Sequence, residues 1–171
     1  VSMALPNEEV TYIYENTILS WFDKQVKQKD LTKLFQAVID GDMEYMGERL
    51  SLELQETISF YDYAESYYHG FLAGILRNMK DYIVLSNRES GLGRPDIIIK
   101  TPSVRGFTII LELKVSPTLQ GMEDKCREAL AQIEEQRYED ALRQEGYSRI
   151  MKYGVCFYRK ECIVMKAEMA R

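Results

Sequence analysis

Histidine and tryptophan are the scarcest residues here, one of each in 171. A lone His69 excludes a histidine-rich zinc site and leaves any Ser/His/Asp or Cys/His mechanism depending on one ring. Metal chemistry would have to run on carboxylates. The cysteines are three, Cys126, Cys156 and Cys162, an odd number without CxxC spacing, and two fall in strand-like runs, so they read as reduced core thiols. Glycine (10) and proline (4) are too few for a long linker or low-complexity tract. No apolar run approaches the ~20 residues of a membrane span. The start, Val1-Ser2-Met3-Ala4-Leu5-Pro6, lacks a basic segment followed by an apolar stretch, so a cytoplasmic protein is expected. Positive charge is short as well: 22 Lys+Arg against 27 Asp+Glu, net −5, which excludes a uniformly basic grip on nucleic acid. What is present is an ordinary globular composition, 46% hydrophobic and 29% charged, of a length that suits one substantial core.

Apolar periodicity divides the chain. Asn7 caps a first amphipathic helix whose stripe is Val10, Ile13, Tyr14, Ile18, Trp21 and Phe22, ending among Lys24, Lys27 and Lys29. Asp30 caps a short helix with Leu31, Leu34, Phe35 and Val38. After Gly41, Asp42 caps another with Met43, Met46, Leu50 and Leu54. Asp62 opens a fourth, with Tyr68, Phe71, Leu72, Ile75, Leu76 and Met79 on its stripe and Glu65 and His69 on the same side. The period then changes. Residues 82–86, 96–101 and 107–115 read as three short strands separated by Gly/Pro/Ser turns. Helical spacing returns over 118–145 to a stop at Gly146, and two last strands follow at 151–158 and 162–166. No internal repeat is visible.

Two strand patches are wrong for a plain core. In Ile109-Ile110-Leu111-Glu112-Leu113-Lys114-Val115 the period of two puts Glu112 and Lys114 on one face and Leu111 and Leu113 on the other. Pro95-Asp96 opens the preceding strand, and the short turn from Pro102 to Gly106 folds the two as an antiparallel hairpin, bringing Asp96 toward Glu112. Two carboxylates on adjacent strands suit a hard cation such as Mg²⁺ or Mn²⁺ between them. A lysine beside them can orient a water and stabilise charge developing on a phosphoryl group, so the pattern points to phosphodiester hydrolysis.

Pro95-Asp96 followed by Glu112-Leu113-Lys114, on a hairpin with a helix before and after, resembles the PD-(D/E)XK nuclease superfamily. A narrower resemblance is to the PD-(D/E)XK domain that follows an AAA-type ATPase-like domain in bacterial proteins. It is carried by Glu65-Ser66-Tyr67-Tyr68-His69-Gly70-Phe71-Leu72, by the run from Ser86 to Asp96, by the Glu112 strand, and by Ala131-Gln132-Ile133 with Tyr138. The resemblance implies an α/β fold, a restriction-endonuclease-like αβββαβ core with a mixed central sheet flanked by helices, preceded by an α-helical N-terminal segment. It implies 1–58 as a helical lead-in packed on the core and 59–171 as the nuclease-like domain, with an ATPase-like domain preceding the chain. No GxxxxGK[ST] loop is present here. Asp96, Glu112 and the Leu113 carbonyl are implied as ligands of Mg²⁺ or Mn²⁺, Lys114 as the catalytic lysine, and Glu65 as a further catalytic carboxylate. Gln132, Tyr138 and Arg94 are implied to meet the substrate, DNA with RNA as the alternative.

Plainer readings stand beside these. Glu112 and Lys114 fit the solvated face of an edge strand. Asp96 fits a turn cap, and Glu65 fits a capping box with Asp62. His69 on an apolar stripe fits a hydrogen-bonded core or near-site residue. Glu89 and Arg94 fit loop bracing. A non-hydrolytic module that binds nucleic acid or a protein is the alternative function. Charge is uneven: residues 1–65 carry net −8 and 118–146 net −4, while 66–117 carry +3 and 147–171 +4. The basic character therefore sits with the sheet-forming segments, which predicts salt-sensitive binding there.

Overall fold

The computed structural model describes residues 24–56, 65–87 and 93–168, with scattered positions between 9 and 20. Most of the first expected helix lies outside the described residues, as do Asp62 and Glu89; Glu9, Tyr12, Ile13, Asn16, Thr17, Ser20 and residues 24–26 are helical. Helices α1 (Thr32–Asp40), α2 (Met43–Glu56) and α3 (Glu65–Leu76) come first. Strands β1 (Ile83–Ser86), β2 (Ile97–Lys100) and β3 (Thr108–Val115) follow, then α4 (Met122–Glu135), α5 (Glu139–Glu145), β4 (Ile150–Tyr158) and β5 (Glu161–Lys166). Asp42 caps as expected, whereas the N-cap of α1 is Leu31 and Asp30 stands one residue before it, in a turn closed on Thr32. Asp30 Oδ1 accepts the Thr32 amide at 3.1 Å, and Asp42 Oδ1 the Tyr45 amide at 3.1 Å.

The five strands form one mixed sheet in the order β1-β2-β3-β4-β5, antiparallel except for the parallel β3–β4 pair. The hairpin joining β2 and β3 turns tightly at Gly106, where an added Cβ would lie 2.2 Å from Thr101 Oγ1. One sheet face, built from Ile97, Ile99, Ile109, Leu111, Leu113, Tyr153, Val155 and Phe157, packs with α1, α2 and α3 in the main core. The other face is covered by α4 and α5 through Ile110, Ile133, Tyr138 and Leu142, and through Met122, Cys126 and Cys156. This three-layer α/β arrangement is the restriction-endonuclease-like fold. All residues from Tyr68 to Leu76 are buried, so α3 runs inside the protein rather than along its surface. The β5 edge is covered by α2: Ser51 Oγ accepts the Cys162 amide at 2.9 Å, which pairs a strand-edge group that would otherwise face water.

The expected single helix over 118–145 is two. Gln136 ends α4, Arg137 takes a left-handed φ of 53°, and the Arg137 and Tyr138 amides donate to the carbonyls of Glu134 (3.1 Å) and Ile133 (3.3 Å). That is the hydrogen-bond pattern of a Schellman stop, here without the glycine that ordinarily marks it, so the sequence offered no sign of the break. The turn swings Tyr138 back onto Ile133 in the second core. The three cysteines are free and buried, as expected. Among the described residues no helix is long and apolar enough to cross a membrane.

Candidate active site

The ladder between β2 and β3 ends at the candidate site. Ile97 pairs with Leu111 and Ile99 with Ile109, and the Thr101 amide donates to the Phe107 carbonyl, so the backbone groups of odd-numbered β3 residues face β2. One step past Ile97 the Leu113 amide meets a side chain in place of backbone: Asp96 Oδ2 accepts it at 2.8 Å. Continuing the register would set Pro95 against Leu113. Proline has no N–H, so it has none to offer the Leu113 carbonyl, which faces the same side as the Leu113 amide. The Pro-Asp pair thus stops the ladder and opens a polar notch at its end. From behind, the Asp96 carbonyl accepts the Asn87 amide at 2.9 Å and faces His69 Nε2 at 3.2 Å, so that ring nitrogen carries the proton. Ser86 Oγ lies 3.3 Å from the same nitrogen.

Glu112 is 4% exposed, in the central strand of the sheet, which removes the edge-strand reading. Its Oε2 accepts the Asp96 amide at 3.3 Å, and its Oε1 accepts Gln132 Nε2 at 2.6 Å. Gln132 Oε1 in turn accepts Lys114 Nζ at 2.5 Å, and Gln132 Nε2 also donates to Tyr138 Oη at 3.3 Å. The amide orientation follows from charge, because the reverse would set an NH₂ against the lysine ammonium. Gln132 reaches this far because β4 has no side chain at Gly154, the register partner of Glu112. A Cβ there would lie 2.4 Å from the Cys126 carbonyl of α4, so the glycine lets the helix close on the strand.

Burial pushes Glu112 up to about 8, and the neighbouring Asp96 charge pushes the same way. Burial also raises Asp96, opposed by the Leu113 amide and assisted by the charge of Glu65. The two carboxyl groups are in hydrogen-bond contact, with Glu112 holding the proton against the Asp96 carboxylate. Such a pair is frustrated without a cation and suits one with hard oxygen preference. Among the described residues no group of three or more His, Cys, Asp or Glu comes together. Two carboxylates and a strand-end carbonyl fit Mg²⁺, which is commonly held by one or two carboxylates and completes its shell with water and substrate phosphate.

The structure therefore brings together Asp96, Glu112, Leu113, Lys114, Gln132 and Tyr138. Glu65 is exposed and not on the buried stripe where its spacing placed it; its charge still reaches Asp96. Arg94 is exposed two residues before Asp96. Sequence reasoning did not find Ser86 or Gly154. It assigned Gln132 to substrate, whereas the amide's contacts here are with Glu112, Lys114 and Tyr138. The only signal that placed Gln132 at the site was the family resemblance of Ala131-Gln132-Ile133 with Tyr138.

Comparison with protein families agrees with this fold. The sequence pattern of the PD-(D/E)XK nuclease superfamily matches residues 63–167, which includes α3, the whole sheet and both crossover helices. The chain belongs to the PD-(D/E)XK nuclease superfamily. No curated protein matches it.

Proposed function

We propose that this chain is a nuclease domain that hydrolyses phosphodiester bonds of DNA with Mg²⁺ or Mn²⁺. The observation that carries the reading is the convergence of Asp96 and Glu112 at the end of the β2–β3 ladder, with Lys114 held beside them through Gln132. Asp96, Glu112 and the Leu113 carbonyl are the groups that would hold the cation. When bound, the cation would neutralise phosphoryl charge and lower the pKa of a water. Lys114, as an ammonium, orients that water and stabilises negative charge on the phosphoryl oxygens in the transition state. Gln132 keeps the lysine from pairing directly with Glu112 by accepting from one and donating to the other. Three reduced thiols suit a cytoplasmic setting.

The test compares cleavage of supercoiled plasmid, single-stranded DNA and RNA by the wild type, Asp96→Ala and Lys114→Ala, with Mg²⁺, Mn²⁺ or chelator. Cleavage that needs metal and falls at least about 100-fold in both variants is expected. Equal turnover by all three proteins would sink the enzymatic assignment and leave the non-hydrolytic module.

A further inference from the structure

The parallel register extends the site toward the C-terminal end of β4. Glu112 pairs with Gly154 and Lys114 with Cys156, so the next residue of β4 on that face is Tyr158. Tyr158 is followed by a two-residue turn, Arg159-Lys160, closed by the Tyr158–Glu161 pair. Arg159 is exposed and holds a φ of 50°, a left-handed conformation that glycine takes freely and a long side chain does not. Two contacts fix it there. Tyr68 Oη donates to the Arg159 carbonyl at 2.7 Å, with the Tyr68 ring stacked on Phe157 at 4.6 Å, and the Arg159 guanidinium lies over the Tyr158 ring, Cζ 5.2 Å from its centroid. A guanidinium lying on an aromatic face keeps its in-plane N–H donors turned outward.

Charge pairing separates this turn from the helical layer beside it. On α4, α5 and the adjoining β4, Lys125 pairs with Glu128, Arg127 with Glu123 and Asp124, Arg137 with Asp140, Arg143 with Glu139, and Lys152 with Glu134 and Glu139. Among the described residues, neither Arg159 nor Lys160 has a carboxylate partner. An arginine is thus held in a conformation better suited to glycine, on the catalytic face of the sheet, with its charge unspent.

We propose that the Arg159-Lys160 turn is a phosphate-backbone contact for the nucleic-acid strand that enters the Asp96–Glu112–Lys114 site. This rests on the nuclease reading above and adds to it the surface that grips a phosphate next to the one attacked. Arg159 offers two parallel N–H donors to phosphate oxygens and Lys160 adds a point charge. The contact reads backbone, not base, and makes affinity depend on salt.

The test uses the 171-residue chain and labelled single-stranded and duplex DNA oligonucleotides in chelator near pH 6.5, where Glu112 keeps its proton. Arg159→Gly is expected to weaken binding about 3- to 10-fold and to lower the slope of log Kd against log salt by about one, with a Tm equal to or above that of the wild type. Arg159→Lys keeps most of the binding, and Lys160→Ser lowers the slope in the same sense. In cleavage assays with Mg²⁺, Arg159→Gly raises KM and leaves kcat near the wild-type value. Wild-type affinity and salt slope in both Arg159→Gly and Lys160→Ser, with an active wild type, would overturn the turn contact alone. A wild type that neither binds nor cleaves any of these nucleic acids would overturn the nuclease reading itself, and this contact with it.

Discussion

Glu112→Gln is expected to make the protein more stable above neutrality while abolishing its chemistry. The raised pKa sets the sign. An unfolded Glu112 loses its proton near the ordinary 4.5, whereas the folded one keeps it to about 8. Between those values the folded state binds the extra proton, so the contribution is fully present below about 4.5 and is lost as pH rises. The loss runs at ~1.4 kcal/mol per unit and is complete above about 8. Over the whole window that is roughly 5 kcal/mol, and by pH 7 about 3 kcal/mol has gone. Asp96, raised for the same reason of burial, adds in the same direction. Glutamine stays neutral throughout, accepts from Gln132 through its carbonyl, and donates to Asp96 where the carboxyl proton did. Its cost is the weak 3.3 Å bond from the Asp96 amide. Urea unfolding of both proteins should therefore show a difference near zero at about pH 4 that grows to about 3 kcal/mol near neutrality. Millimolar Mg²⁺ should flatten the wild-type slope by binding the ionised pair, and leave Glu112→Gln unchanged. Parallel pH profiles for the two proteins in chelator would refute the claim that burial makes this pair hold a proton.

Two further outcomes follow from the layer that covers the site. Gly154→Ala should destabilise by about 2–3 kcal/mol in urea unfolding, because the new Cβ meets the Cys126 carbonyl at 2.4 Å, a backbone atom that moves only with α4. The same shift carries Gln132 away from Glu112, so cleavage per folded molecule should fall as well. Gln132→Ala leaves Lys114 Nζ without its 2.5 Å acceptor and Glu112 Oε1 without its 2.6 Å donor. It is expected to lower kcat about 10- to 100-fold with a smaller change in KM, and to move the basic limb of the pH–rate profile. A rise in KM alone would return Gln132 to the substrate-contacting role that the family resemblance implied.

Much of the polar notch was legible because its geometry is local. A strand period of two puts Glu112 and Lys114 on one face whatever surrounds them, and a short turn folds Asp96 back onto the next strand, so sequence distance became spatial distance. The proline before Asp96 is likewise a local instruction, since it removes the one amide that would have continued the ladder. The α4 break was illegible because left-handed Arg137 carries none of glycine's warning.

The sequence by itself determined the strands, the hairpin, the helices before and after it, and three residues of the site, all of which depend on neighbours a few positions away. Only the tertiary structure decided that α4 closes over Gly154, that Gln132 joins Glu112 to Lys114, that Glu112 is buried enough to hold its proton to about 8, and that the Arg159 turn follows the strand face shared with Glu112 and Lys114. The physical reason is the same in each case. Burial, field and cross-layer hydrogen bonds are set by the parallel β3–β4 pairing and the crossover helices, which bring together residues about twenty to ninety positions apart.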